Sequence, residues 1–287
     1  MEQNIRDKYK LTPEEHQTIY RKIEDEVFNG MLTSNEPIAI IVGAQSGAGK
    51  GAVITYSKNE LESQGKQVII ITTDEYKPYH PKAIEMAKKY PTEYVSIVEQ
   101  DAGTWTGQIL RKSIDEGYNF IFEGTLKNDR IINRIKEMKE KGFSVTVRVL
   151  AVPKLESLIS LHERYQEQID KIGFGRLVST SHHNQAYSGV PSTVDAIEKS
   201  GLCTVEVYVR GKELNKPEIV YSSEIPNTTY FTARMALEEY RRIKEADVRK
   251  TAAERIKKLK EQFTARAAKP EEMRQLEELE EEYTKIR

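Results

Sequence analysis

The junction at residues 37–64 constrains this chain more than any other feature. Pro37–Gly43 (PIAIIVG) is an unbroken apolar run of strand length. It is followed by Ala44-Gln45-Ser46-Gly47-Ala48-Gly49-Lys50, and a helical stretch then runs from 50 to 64 and stops at Gly65. A strand that turns through a glycine-rich loop into a helix makes a cradle for phosphate. The glycines let backbone N–H groups turn inward, the helix end adds partial positive charge, and a lysine at the last loop position reaches the outer phosphates. The pattern G-x-x-x-x-G-K is met with one displacement: its first glycine falls on Ala44, with Gly43 beside it. Gly43, Gln45, Ser46, Gly47, Ala48, Gly49, Lys50 and Gly51 are therefore expected to hold the phosphates of a nucleotide. Gly51 stands where a hydroxyl ligand for Mg²⁺ is usual. A metal here is expected to rest on phosphates, water and a carboxylate.

The same alternation continues downstream. Strand-like runs at Gln67–Thr72, Asn119–Phe122, Ser144–Val152 and Thr204–Val209 are separated by helical stretches at 101–116 and 128–141 and by a helix after Pro153. Buried runs alternating with helices predict βαβ units: an α/β fold with a parallel sheet flanked by helices. Ahead of it, Thr12-Pro13-Glu14-Glu15 offers an N-cap, a proline at the first helical position and a capping-box glutamate. Ile19, Ile23 and Val27 then form one apolar stripe. Residues 232–287 contain no glycine and one proline, Pro270, and are rich in Glu, Lys, Arg, Ala and Leu. They predict two charged helices broken near Pro270, solvated as an appendage or, more sharply, docking a partner. The expected division is an N-terminal helical segment at 1–35, a central unit at 36–230 and a charged helical C-terminal extension at 231–287.

Composition narrows the class. The chain of 287 residues has 44 basic and 45 acidic residues and one cysteine. A single cysteine excludes an internal disulfide framework. The balanced charge gives no overall field for nucleic acid. The longest apolar stretches, such as Ile38–Val42, fall far short of the roughly 20 residues a membrane helix needs. Met1-Glu2-Gln3-Asn4 has no apolar signal-peptide core. The expectation is a soluble cytoplasmic protein without nucleic-acid or membrane partners.

In an open parallel sheet, ligands bind at the carboxyl ends of the strands. Strand two ends in Thr72-Thr73-Asp74, so Asp74 shares an edge with the glycine-rich loop. There it is placed to accept a proton from an attacking hydroxyl and to help place Mg²⁺. Strand three ends in Glu123-Gly124-Thr125, a second carboxylate on that edge and the beginning of an acceptor pocket. Arg164, in His162-Glu163-Arg164-Tyr165, and Arg176, in Gly173-Phe174-Gly175-Arg176, span a helix end and a glycine-containing loop. Two guanidinium groups so placed suit a lid over a transferring phosphoryl group. Trp105 is a candidate for the pocket wall or the core. His182-His183 has no cysteine or histidine cluster at zinc spacing around it and is read as a polar helix start or loop.

GAQSGAGKG, TTDEYKPYHP, DAGTWT, EGTLKND, the run Ala151–Lys154, HERY and GFGR, in that order, make the chain resemble the zeta toxin family of bacterial toxin–antitoxin systems over roughly residues 15–225. The resemblance implies a P-loop kinase-like fold. It also implies transfer of phosphate from ATP or GTP to the sugar 3′-hydroxyl of UDP-N-acetylglucosamine, which blocks cell-wall synthesis, with a separate antitoxin as partner. Carried over by motif, Lys50 is the phosphate lysine, Asp74 the base, Glu123 and Thr125 pocket residues, and Arg164 and Arg176 the transition-state arginines. Some members place a glutamate before strand three to hold the sugar nucleotide; the matching position here is Gly107. Three other readings fit the same residues. One is a kinase for another small hydroxyl acceptor, as in the chloramphenicol phosphotransferases. A second is a nucleotide-binding module with catalysis impaired at Gly51 and Gly107. The third is a scaffold that docks a partner through its first and last helices.

Overall fold

The apolar run at 37–43 becomes β1, Ile38–Gly43, a central strand of the sheet. The structure, a computed structural model, describes residues 7–90, 94–211, 213, 216–226 and 229–285; Met1–Asn4, read above for a signal, lie outside the described residues. The other strands are β2 (Ile69–Ile71), β3 (Phe120–Gly124), β4 (Ser144–Leu150), β5 (Thr204–Val209) and β6 (Glu218–Ser222). Among the described residues the helices before β4 include α1 (Pro13–Phe28), α2 (Lys50–Ser63), α3 (Thr73–Tyr76), α4 (Ala83–Lys89), α5 (Tyr94–Glu116) and α6 (Ile131–Glu140). After β4 come α7 (Lys154–Ile172), α8 (Thr180–Ser200), α9 (Ala233–Ala265) and α10 (Pro270–Lys285).

Among the described residues the sheet has six strands in the order β2–β3–β1–β4–β5–β6. β1 pairs in parallel with both β3 and β4, while β6 runs antiparallel to β5 at the edge. The first five strands are the ones read from sequence. β6 escaped notice because Glu-Ile-Val-Tyr-Ser is short and only its last two residues are buried. Chain order reverses at β1, so its carboxyl end opens onto the crevice where parallel sheets bind ligands. Apolar residues of the strands fill both faces: Ile41, Phe120 and Val147 on one, Ile40, Val42 and Ile121 on the other.

The capping box predicted for α1 is present. Glu15 N–H donates to Thr12 Oγ1 at 3.2 Å, and Thr12 N–H donates to Glu15 Oε2 at 2.8 Å; such a cap contributes about 1 kcal/mol. Two helices differ from expectation. α5 begins at Tyr94, before the expected 101, because Ile97 and Val98 bury against Tyr9 and Met86, and packing overrides a weak β preference. α8 runs through Pro191, which hides its helical period; Ser179 caps it by accepting from His182 N–H.

The expectation of a solvated C-terminal appendage is overturned. Ala252, Ile256, Leu259 and Phe263 of α9 and Leu276 and Leu279 of α10 form a buried cluster with Leu155, Leu158, Ile159 and Tyr165 of α7. Ala233, Ala236 and Leu237 belong to the main core itself. Much of the buried stripe is alanine, and charged residues cover the rest, so composition alone suggested solvation. The Tyr165 hydroxyl also donates to the buried carboxylate of Glu272, which Arg266 pairs at 3.0 Å.

Candidate active site

At the carboxyl end of β1, Gly43 leaves room for Leu126: a Cβ there would lie 2.1 Å from Leu126 Cδ1. The chain then turns through Gly47 at φ 77° and enters α2 from Gly49. At Gly47, space and conformation both demand glycine, because a Cβ would meet the Ser157 carbonyl at 2.1 Å and L side chains avoid that left-handed region. A cavity of about 780 Å³ opens beside the loop, within the range of small-molecule sites.

Most residues picked from sequence meet on this cavity. Ser46, Gly47, Gly49, Lys50, Gly51, Asp74, Glu123, Thr125, Arg164 and Arg176 all line it. They come from the loop, from α3, from the end of β3, from α7 and from the segment after α7. Four others do not line it: the three loop residues depart from the expectation, and Trp105 takes the core, the second of its two expected places, rather than the pocket wall. Gly43 packs under Leu126. Ala48 is fully buried in the core on the loop's far side. Gln45 is fully buried and turns back to donate to Val152 O at 3.0 Å and Ser157 Oγ at 3.2 Å. Trp105 is core: it is fully buried, its ring lies tilted against His16 with centroids 5.0 Å apart, and it donates its indole N–H to His16 O at 3.2 Å. His182 reaches the cavity from the start of α8, whereas His183 is buried against Ser157 Oγ at 2.8 Å.

The charges are arranged in two groups. Lys50 Nζ donates to Ala44 O at 3.2 Å and Gln45 O at 3.4 Å and lies 3.4 Å from Glu123 Oε1. Burial pulls its pKa below the ordinary lysine value, with Glu123 acting against the shift. Across the cavity, Asp74 Oδ1 accepts from Lys77 Nζ at 2.7 Å and from Arg176 Nη1. Burial alone would raise this carboxylate, but Arg176 and Lys77 outweigh it and hold Asp74 at about 2. The backbone of Arg176 is held separately, its main-chain N–H donating to Gln168 Oε1 at 2.8 Å. Arg164 has no ion pair among the described residues, and its buried Nε has no partner. Burial, and then the neighbouring charge of Arg176, push its pKa down. An unpaired guanidinium on a cavity wall is a ready site for an anion.

Among the cavity-lining residues that sequence reasoning missed are two charged ones with definite contacts. Arg210, just past β5, donates from Nη2 to Gly47 O at 2.7 Å, from Nε to Ala48 O at 3.1 Å and from Nη1 to Glu156 Oε1 at 2.6 Å. The rule that located Asp74 at a strand end would have found it. Glu99 lies 3.8 Å from Arg176 and 3.9 Å from Lys77; it was hidden in a stretch not recognised as helix. Gly51 and Gly107 both face open space, with nothing within 4 Å of an added Cβ.

Among the described residues, no three His, Cys, Asp or Glu side chains converge as metal ligands. A hard cation fits only in the manner expected of Mg²⁺, held mainly by phosphates and water with one carboxylate. Asp74 and Glu123 are the carboxylates that line the cavity beside the loop, and Asp74 would have to release Lys77 or Arg176 to serve such an ion. Among the described residues, no helix is long and apolar enough to cross a membrane.

Comparison with known proteins accords with this geometry. The family model for Zeta toxin matches residues 22–221. Toxin zeta of Enterococcus hirae is 30% identical over 180 residues, covering 62% of this chain and 62% of that protein. Toxin PezT of Streptococcus pneumoniae is 27% identical over 203 residues, covering 70% of this chain and 77% of that protein. The chain thus spans 62% of the length of Toxin zeta from both Enterococcus hirae and Streptococcus pyogenes. Among solved structures, one from the PezAT chromosomal toxin–antitoxin system of Streptococcus pneumoniae superposes with a TM-score of 0.70 at 23% identity, covering 88% of this chain and 98% of that one. The AvrRxo1-ORF1:-ORF2 structure with ATP gives 0.53 at 13% identity, covering 79% and 72%. At these identities the structural likeness speaks for the fold.

Proposed function

This chain belongs to the zeta toxin family, and from that premise we propose that it is a phosphotransferase acting as the toxin of a toxin–antitoxin pair. In this reading it moves the γ-phosphate of ATP or GTP to a sugar hydroxyl of UDP-N-acetylglucosamine in the cytoplasm and so blocks cell-wall synthesis. An antitoxin protein is its partner.

The observation that carries the reading is the convergence on one cavity of Lys50, Asp74, Arg164 and Arg176, with Asp74 and Arg176 in direct contact. The loop amides and Lys50 bind the β- and γ-phosphates. Arg164, unpaired at rest, takes the incoming phosphate charge. Arg176 exchanges Asp74 for the transferring phosphoryl group, and Asp74, relieved of one cation, gains basicity and accepts the acceptor hydroxyl's proton. Glu123 and Thr125 face the acceptor. Mg²⁺, when bound, neutralises charge on the phosphate oxygens.

Gly107 favours one variant of this reading. The open space over it leaves the acceptor end wide where some family members place a glutamate, so a different hydroxyl acceptor is the alternative. Incubation with labelled ATP or GTP, Mg²⁺ and a panel of sugar nucleotides tests both. Transfer to UDP-N-acetylglucosamine is the expected result. Transfer only to another acceptor selects the alternative. Absence of transfer with every acceptor, with nucleotide still bound, rejects the enzyme. Lys50→Ala should weaken nucleotide binding by about 1.5–3 kcal/mol, the worth of a charge-assisted contact.

A further inference from the structure

Helix α9 lies beyond the residues matched by the family model, yet it reaches the phosphate loop from two sides. On the inner side is Arg241, 4% exposed. It donates from Nη2 to Gln45 Oε1 at 2.8 Å and from Nη1 to Tyr187 O at 3.0 Å, and it stacks over the Tyr187 ring at 4.1 Å. No carboxylate of the described residues pairs with it, and its Nε has no partner. Gln45 passes the contact on to Ser157, whose carbonyl packs against Gly47. On the outer side, Arg255 donates to Glu156 Oε2 at 2.6 Å and to Glu163 at 2.8 and 2.6 Å. The other oxygen of Glu156 accepts from Arg210, which donates to the carbonyls of Gly47 and Ala48.

A buried guanidinium without a carboxylate costs stability, and an apolar side chain of similar volume would pack α9 more cheaply. A group kept under those terms is explained by what it holds. Here it holds Gln45, the loop residue whose side chain turns away from the cavity.

We propose that α9 braces the phosphate loop, with Arg241 acting through Gln45, and Arg255 through Glu156 and Arg210, as positioning residues for nucleotide binding. The inference rests on the reading that this loop binds nucleotide. Holding the Gly47 and Ala48 carbonyls through Arg210, and the Gln45 side chain through Arg241, fixes the loop before the nucleotide arrives, so less ordering is needed on binding.

The test is calorimetric titration of the intact chain with MgATP, alongside thermal melting without nucleotide. Arg241→Met and Arg255→Met should each weaken MgATP binding by about tenfold, the scale of one lost hydrogen bond to a charged group. The double variant Gln45→Met/Arg241→Met should bind no more weakly than the worse of its two single variants, because the residues share one path. Arg255 is partly exposed, so Arg255→Met keeps the test alive if loss of buried Arg241 prevents folding. Unchanged affinity in either variant removes that residue from the brace, and a lowered melting temperature with affinity intact identifies a purely structural role and overturns the proposal. Additive losses in the double variant overturn the path through Gln45. Failure of the wild type to bind MgATP, or wild-type binding by Lys50→Ala, overturns the nucleotide reading itself and the proposal with it.

Discussion

The guanidinium of Arg176 donates to the carboxylate of Asp74 across 102 residues of sequence, closing one side of the cavity with the proposed base against a proposed lid residue. In the proposed transfer the pair opens, with Arg176 turning to the phosphoryl group so that Asp74 can act. Arg176→Ala should therefore lose about 10³-fold or more in kcat, as arginines of this kind do, while nucleotide Kd stays within a few-fold. Single-turnover rates and equilibrium titration measure the two separately. Equal losses in both would make Arg176 a ground-state contact.

The same pair sets a pH dependence. Asp74 is held at about 2 by Arg176 and Lys77 against its own desolvation, below the unfolded carboxylate value of about 3.9. A depressed carboxylate stabilises the fold fully above its unfolded pKa and loses that contribution as pH falls through the folded value. The gap in melting temperature between wild type and Asp74→Asn should thus be constant from neutral pH to about 4 and should close toward pH 2. A gap that is unchanged down to pH 2 would show that the ion pair is not its source.

The parallel core could be read from the chain because each strand is a run of apolar residues buried on both faces, a pattern that survives without tertiary information. Asp74 and Glu123 could be read for a related reason: both follow or end strands at the carboxyl edge of the sheet, so topology put them beside the loop, while Lys50 was read from the glycine-rich loop pattern itself. Arg176 was legible only by motif, since a loop residue has no periodic signal. Long-range packing supplied the rest. Val98 is helical because Tyr9 and Met86 enclose it. Trp105 is in the core because α1 covers it. Arg241 reads as one more charge on a charged helix until Gln45 is placed beside it, 196 residues away in sequence.

Gly51 lines the cavity at the start of α2 with open space around its Cα, so Gly51→Ser should fit without strain. It would supply the hydroxyl that usually ligates Mg²⁺ at this position and, by helix propensity, stabilise α2 by up to about 0.5 kcal/mol. The Mg²⁺ concentration for half-maximal phosphotransfer should fall. An equal or higher requirement in a variant that melts like wild type would count against phosphates and water as the main ligands in the native protein.

Asp74→Asn tests the proposed chemistry most directly. The substitution keeps the shape of the side chain and a hydrogen-bond acceptor for Arg176 and Lys77, but it removes the basicity. A sugar hydroxyl is a weak nucleophile, and loss of a general base costs about 10²–10⁴-fold in rate. The expected variant is folded, binds ATP nearly as well as wild type and transfers phosphate slower by about that factor. Expressed in bacteria without an antitoxin, it should be harmless where the wild type arrests growth. Transfer at the wild-type rate would move the role of base to Glu123, which lies on the same edge and 3.4 Å from Lys50. Loss of ATP binding would instead mean that Asp74 serves through the metal, because Asn, a neutral ligand, holds Mg²⁺ less well than a carboxylate. Raising Mg²⁺ would then restore ATP binding to the variant, which it would not do if only the base were missing.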